Sequence, residues 1–383
     1  MSSPGGDPGG STDVIEQPPP TERGTALSPV LRVLGALAIL VVGFIALGAS
    51  FLFVKNAEGS RFVVVGIALV AGVGGVFFVF WSMNNVVQSL PARYQEGVRP
   101  FIFVGPALVI LIVFLVYPVI NTILVSFKDA VGQSFVGLDN YRFVFTDDSM
   151  LRAIRNTFGW IIIVPLFGVS IGLAFATLAD RLRRGEAAAK AMIFLPMAIS
   201  FAGASITWRL IYAYRPAAFG SNIGVLNGVM EALGQNPISW LDVKPWNNLF
   251  LMVIMVWMQT GFAMVVLSAA IKSIPDEILE AARIDGANEL QVFRRIIVPS
   301  ILPTIAVVTT YMVINAMKVF DIVFVMGSPE NRGTEVIAER MIHWFFIGGN
   351  FGRGAAIAVI LFVAVIPVMI INIRRFREEE AIR

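Results

Sequence analysis

Residues 274–303 read IPDEILEAARIDGANELQVFRRIIVPSILP, the longest well-charged interruption in the second half of the chain. An apolar run long enough to cross a bilayer lies on each side of it. Pro275, Asp276 and Glu277 make a helix start, because Pro is tolerated in the first turn and acids complement the positive end of the helix dipole. Ile278, Leu279 and Ala282 supply a short apolar face with Ala281 beside it, and Gly286 suits the left-handed turn that ends such a helix. A second amphipathic piece follows, with Leu290, Val292, Phe293, Ile296 and Ile297 apolar and Arg294 and Arg295 charged. Pro299 and Pro303 lead into the next apolar run.

Outward from this stretch, apolar runs of membrane length recur at Arg32–Val54, Phe62–Trp81, Phe101–Phe127, Asn156–Ala179, Ala191–Ala213, Asn247–Ile271, Ser300–Met326 and Gly354–Ile373. A backbone in lipid must satisfy its own hydrogen bonds, so the expected fold is all-α, a polytopic membrane protein with about eight transmembrane helices. A composition that is 57% hydrophobic and 14% charged excludes both a soluble globular domain and a disordered chain. The small positive balance comes from Lys and Arg at membrane edges and does not point to nucleic acid. Residues 1–28 are the exception. Rich in Gly, Pro, Ser and Thr, they cannot bury a core and are expected to be a disordered cytoplasmic tail.

Basic residues set the expected orientation. With the N-terminus in the cytoplasm, Arg93 and Arg99, the cluster Arg181, Arg183, Arg184 and Lys190, the cluster Lys272, Arg283, Arg294 and Arg295, and the tail Arg374, Arg375 and Arg377 all fall inside. The 274–303 stretch is then cytoplasmic, as are both termini.

The stretch resembles the EAA loop of the membrane subunits of ABC importers, whose pattern is E-A-A, three residues, G, nine residues, I-x-L-P. Glu280, Ala281, Ala282, Gly286, Ile296 and Pro299 fall at that spacing, with Val298 where the pattern has Leu, a volume-tolerant change. The segment Phe135-Val136-Gly137-Leu138-Asp139-Asn140-Tyr141, followed by Asn156-Thr157, is similar to a feature of sugar-importer permeases. Read without the family, it is a turn with an interfacial aromatic belt. The resemblance runs from about Phe101 to Arg383 and matches the larger, maltose-type permease subunit, without that subunit's large outer domain. It implies a six-helix type I importer core over 100–383 with a coupling loop at 272–299. Residues 29–99 then form two extra N-terminal helices and a cytoplasmic linker.

Polar and aromatic residues inside apolar spans are candidates for a solute path, because lipid-facing polar groups are costly. The span before the coupling loop has Trp257, Gln259, Thr260 and Phe262; the span after it has Thr309, Thr310, Tyr311, Asn315, Lys318 and Asp321. Tyr311, Asn315 and Lys318 recur at helical spacing, and Lys318 and Asp321 are expected to pair on one helix face. Flat aromatic faces plus amides and hydroxyls are what a neutral sugar requires. The resemblance implies sugar contacts at Trp257, Gln259, Phe262, Tyr311 and Asn315; helix–helix hydrogen bonding is the other reading of the same residues. Gly168 and Gly172 form a small-xxx-small pair suited to close packing or to a flexible span. The stretch from Glu335 to Phe346, which includes His343, alternates charged and apolar residues like a surface helix on the outer side.

Other chemistry has little material. There is no Cys and one His, so disulfides, thiolate metal sites and a Ser/His/Asp triad are not expected. No G-x-x-x-x-G-K-[ST] occurs, so no P-loop is expected, and the glycines at 348, 349, 352 and 354 read as a turn near an outer membrane edge. The resemblance implies a non-enzymatic permease subunit for a sugar, an oligosaccharide or an α-glucoside such as maltose or trehalose. Its expected partners are a second homologous permease subunit, two ATPase subunits that hold ATP and Mg, an extracytoplasmic solute-binding protein and membrane lipid. Glu280, Ala281, Ala282, Asp285 and Gly286 would meet the ATPase. The alternative is a stand-alone ion-coupled secondary transporter, which predicts inverted repeats and mid-membrane acids.

Overall fold

A computed structural model describes residues 29–56, 61–180, 182, 184–216, 218, 220, 223–327 and 332–382. The expected disordered tail, 1–28, and Arg181 and Arg183 of the expected inner basic cluster lie outside the described residues. Among the described residues the chain is helical, with one isolated β-bridge between Lys128 and Phe135 and no strand. Among the described residues, six helices are long and apolar enough to cross a membrane, and two bent pairs raise this to eight if each pair is one span.

Contacts divide the chain at Tyr117/Pro118. The first unit holds α1 (Pro29–Asn56), α2 (Arg61–Ser89) and most of α3 (Ala92–Val125). Glycine lets α1 and α2 meet: a Cβ on Gly43 would lie 1.9 Å from the Phe78 ring, and one on Gly75 would lie 2.5 Å from Leu47. Most other side chains here are apolar and uncovered, Phe62 at 90%, as expected of helices bathed in lipid.

The second unit contains α4 (Asp139–Thr146), α5 (Asp148–Asp180), α6 (Glu186–Phe194, with a 3-10 turn to Ala198), α7 (Phe201–Ile211), α8 (Val225–Ala232) and α9 (Asn247–Lys272). It continues with α10 (Asp276–Ile284), α11 (Glu289–Ser300), α12 (Leu302–Met317), α13 (Asp321–Met326), α14 (Ile337–Ile342, run on by a π turn) and α15 (Phe351–Ile382). The Asp147 carboxylate starts α5, accepting from the backbone N–H of Ser149 at 3.0 Å and of Met150 at 3.2 Å. Helix α9 is the centre, packed most extensively along α5. Buried Trp160, Leu251, Met255 and Ile322 fill one end of the unit; Ala176, Met264, Leu267 and Met312 fill the other. Gly168 and Gly172 serve close packing. A Cβ on Gly172 would stand 2.4 Å from that of Ala263, and one on Gly168 would stand 2.8 Å from Met312 Sδ.

Two expected spans are not single helices. The Ala191–Ala213 run is broken between α6 and α7, which meet at 101°. Pro196 sits in the 3-10 turn, Ile199 is extended, and the Ser200 hydroxyl caps α7 by accepting from the Gly203 N–H at 3.0 Å. The Ser300–Met326 run breaks at both ends. A 69° bend at Ile301 separates α11 from α12, because Pro303 cannot continue the ladder begun before Pro299. Helix α12 then stops at Met317. Lys318 caps its C-terminus and Asp321 opens α13, so the two do not share a helix face and no ion pair joins them, contrary to the expected pairing.

The Glu335–Phe346 stretch corrects a second expectation. Glu335, Glu339 and Arg340 are buried rather than on an exposed helix face. Arg340 grips Glu339 with two bonds of 2.8 Å, and Glu335 accepts from Arg152 at 3.1 Å, so burial is offset by pairing.

The close α5–α9 approach is testable by added volume. Gly172→Leu should lower the detergent-solubilised subunit's melting temperature, overpacking costing about 1–3 kcal/mol. Gly66→Ala, whose Cβ meets nothing within 4 Å, should leave it nearly unchanged.

Candidate coupling segment and transmembrane polar residues

Helix α10 is built as its sequence expects. Pro275 is the N-cap, and Asp276 and Glu277 lie in the first turn. At the other end Gly286 takes φ +89°, its N–H reaches the Arg283 carbonyl at 3.1 Å, and the Ala287 N–H reaches Ala282 at 3.0 Å. That pair of bonds is a Schellman cap, which needs a residue free of Cβ strain at this position. Asn288 then opens α11 with a capping box: its side chain accepts from the Gln291 N–H at 2.9 Å, and its own N–H donates to Gln291 Oε1 at 2.8 Å. Arg283 and Glu289 pair across the turn at 3.0 Å. The result is a rigid elbow between α9 and α12.

The elbow is bare. Glu280, Ala281, Asp285 and Gly286 are exposed and Ala282 is half-buried. Ile284 is 85% exposed and Leu290 63% exposed, on a segment too charged to sit in lipid. Large apolar residues are thus uncovered on an ordered, charged elbow.

Within the spans, the structure sorts the five expected sugar contacts into separate places. Phe262 and Tyr311 meet with ring centroids 4.5 Å apart, joining α9 to α12. Asn315 sits one turn along α12 and donates to the Tyr311 carbonyl at 3.0 Å. Gln259 lies about 60° around α9 from Phe262, on the same side, but is 4% exposed, and neither amide atom has a partner. Trp257 lies on the opposite side of α9, edge-on to Trp208 at 5.7 Å. It borders an apolar cavity of about 670 Å³ together with Phe167, Met192, Pro196 and Thr260.

A polar cavity of about 620 Å³ lies at the end of α5 and α9 opposite the elbow. Arg152, Arg155, Lys244 and Arg332 border it with Asn156 and Asn248. Arg152 is engaged by Glu335 and Arg332 by Asp242 at 2.9 Å. The Ser239 hydroxyl and the Arg332 guanidinium hold the Asp242 carboxyl below its usual range. These cations come from three distant parts of the sequence, which hides their meeting from a linear reading.

A family model described as binding-protein-dependent transport system inner membrane component matches residues 168–374. The chain belongs to this family. It is 53% identical over 73% of its length to the whole of an osmoprotective compounds uptake permease, GgtC, of Synechocystis sp.. It is 46% identical over 82% of its length to 96% of an alpha-glucoside transport system permease, AglF, of Rhizobium meliloti. The fold matches a chain of a bacterial ABC transporter that imports alginate, with a TM-score of 0.64 and 24% identity, covering 74% of this chain and 99% of that one. The protein is thus a multi-pass permease subunit of an ABC transporter in the cell membrane, and the stand-alone ion-coupled carrier is set aside.

In this permease Asn140, Asn156 and Thr157 of the two motifs are buried clamps, while residues 137–138 form the expected turn and Phe135 stays 78% exposed. Asn140 donates to the Ser126 and Lys128 carbonyls at 2.9 and 2.7 Å. Asn156 donates to Gly333 and Glu335 carbonyls, both at 2.9 Å, and the Thr157 hydroxyl accepts from the Ile337 N–H at 3.0 Å. Asn156 and Thr157 fasten the 333–337 segment to α5, and Asn140 ties α4 to the 126–128 backbone.

Gly286 gives the sharpest test of the elbow, because an added Cβ would meet nothing within 4 Å in this subunit, so any effect of substitution on the subunit itself is conformational. Gly286→Val should cost about 1–2 kcal/mol in the left-handed turn and reduce transport by the assembled complex, while Gly286→Asn, which tolerates that region, should retain most of it.

Proposed function

We propose that this permease conducts a sugar, an oligosaccharide or an α-glucoside, into the cell by alternating access, driven through the elbow around Gly286. The observation that carries the reading is an ordered, charged, solvent-exposed elbow joining the two helices that hold Phe262 and Tyr311. Separate ATPase subunits bind ATP and Mg and grip α10. Glu280 and Asp285 offer charge to that surface, and Ala281, Ala282 and Ile284 offer apolar contact. When the ATPases close, α10 is displaced and rotates α9, to which it is joined by a short connection, and α12, to which it is joined through α11. The path between this subunit and a second homologous permease then changes the side to which it opens. This places the elbow and both termini in the cytoplasm, as the basic residues favour.

At the opposite end, an extracytoplasmic solute-binding protein delivers the sugar. Support comes from the family's own description and from a solved alginate transporter in complex with a periplasmic protein. Support for the sugar class comes from the α-glucoside permease relative and from the chemistry of the α9–α12 seam. Tyr311 and Phe262 present a pair of aromatic rings tilted 42° to each other, and Asn315 presents an amide beside them. Gln259 is sequestered in this conformation. Its two unpaired amide atoms gain partners when α9 and α12 part around a solute, which lowers the cost of leaving them buried. Trp257 acts from the other side of α9, where its ring borders the apolar cavity.

Asn315→Leu and Gln259→Leu are expected to reduce uptake of maltose, trehalose or related α-glucosides at least tenfold, with assembly and basal ATP hydrolysis retained. Uptake unchanged for every solute in such a panel would remove both residues from the path.

A further inference from the structure

Four charges from the ends of three helices meet beside the elbow, and the family resemblance assigns them no role. Asp180 ends α5, Glu186 and Lys190 lie in the first turns of α6, and Lys272 ends α9. The Lys190 ammonium donates to Asp180 Oδ1 at 2.6 Å, to Glu186 Oε1 at 2.7 Å and to the Ser268 hydroxyl, which uses all three of its donors. Ser268 in turn donates to Asp180 Oδ1 at 2.7 Å. Lys272 pairs with Glu186 and lies 3.9 Å from Asp180. Lys190 and Asp180 are largely shielded, with 18% and 14% of their side-chain surface exposed, whereas Lys272 is 52% exposed.

Position gives this cluster its meaning. Lys272 stands three residues before Pro275, the N-cap of α10. Any displacement of α10 therefore reaches α9 at the point where α9 is tied to α5 and α6. Below the cluster, the α6 backbone presses on α9 at Gly261, where a Cβ would lie 2.5 Å from the Ile193 carbonyl oxygen. Helix α6 is half of the broken span, bent by 101° from the other half at the Ile199 break. Two attachments, one ionic and one steric, hold it to α9.

We propose that Asp180, Glu186, Lys190 and Lys272 are positioning residues that form a transmission clamp. The clamp makes the α6 half-span follow α9 as one body when α10 is driven. It rests on the reading of α10 as the ATPase-driven element. Without the clamp, α10 still moves, but α6 lags and the path fails to switch fully. The energetic logic is that of balanced charge: two acids and two bases offset one another, with Asp180 Oδ1 shared by Lys190 and Ser268 and Oδ2 left without a hydrogen bond, and removing one partner alone leaves an uncompensated charge.

The test uses the complete transporter with its ATPases in proteoliposomes, and spin labels at Ala188→Cys on α6 and Ser273→Cys after α9. The native chain has no Cys, so this subunit needs no background removed and is labelled before it is assembled with the others. Asp180→Asn/Lys190→Met is the variant, since it removes both shielded charges together. In the unsubstituted clamp, the label distance should be the same before and after trapping with ATP and vanadate. In the double variant, trapping should shift or broaden it by several ångströms, with ATP hydrolysis within about twofold of the unsubstituted rate and solute uptake per ATP at least tenfold lower. A distance and an uptake-to-ATP ratio unchanged in the double variant would overturn the clamp. So would hydrolysis and uptake falling together by the same factor, which would mean a structural support only. If the double variant does not assemble, Lys272→Met, which removes only the exposed arm, carries the same readouts, with a smaller shift expected and an unchanged distance and ratio overturning the clamp. The function reading fails separately, if the unsubstituted complex shows no ATP-dependent change at a label on α10.

Discussion

Three helix backbones come into contact around α9, and glycine is what permits it. Gly172 brings α5 against Ala263 and the Met264 backbone, and Gly261 brings α6 against α9 from another side. In a membrane there is little hydrophobic gain in moving an apolar helix from lipid to protein, so association rests on dispersion at close approach and on polar ties. Both are present here. The glycine contacts set the depth at which α9 sits, and the ion cluster at Lys190 sets how its coupling end is held. Everything assigned to the elbow depends on α9 being a stiff, gripped element, because a loose helix would absorb a push instead of transmitting it.

The elbow itself shows how backbone chemistry can specify a mechanical part. A Schellman cap at Gly286 and a capping box at Asn288 lie two residues apart, and together they fix the angle between α10 and α11 without help from a core. The turn can therefore be ordered while its surface stays free. Ile284 and Leu290 remain uncovered for a partner, and the Arg283–Glu289 pair ties the two arms.

Much of this was legible in the sequence, and what was not has identifiable causes. Run length gave the spans, and Pro275, Glu277 and Gly286 gave α10 almost to the residue, because caps are local signals. The α6–α7 break was hidden because the apolar run continues unbroken across it. Pro196 and Ser200 were its only local marks. Burial of Glu335, Glu339 and Arg340 was misread as an exposed alternating face, since the partner of Glu335 is Arg152, 183 positions away. The Lys190 cluster was half visible as a Glu186/Lys190 spacing of four, while Asp180, Ser268 and Lys272 joined it only through the fold. The expected solute residues fared in the same way. Tyr311 and Asn315 share a helix face as their spacing requires, whereas the placement of Trp257 and Gln259 on opposite sides of α9 follows from their being two residues apart.

The most direct measurement is the accessibility of a single Cys at Glu280 to a membrane-impermeant maleimide. It is read in inside-out and right-side-out vesicles, with and without the ATPase subunits. The account predicts labelling from the cytoplasmic side alone, lost when the ATPases assemble. Labelling from the exterior, or equal labelling whether or not the ATPases are present, would contradict it.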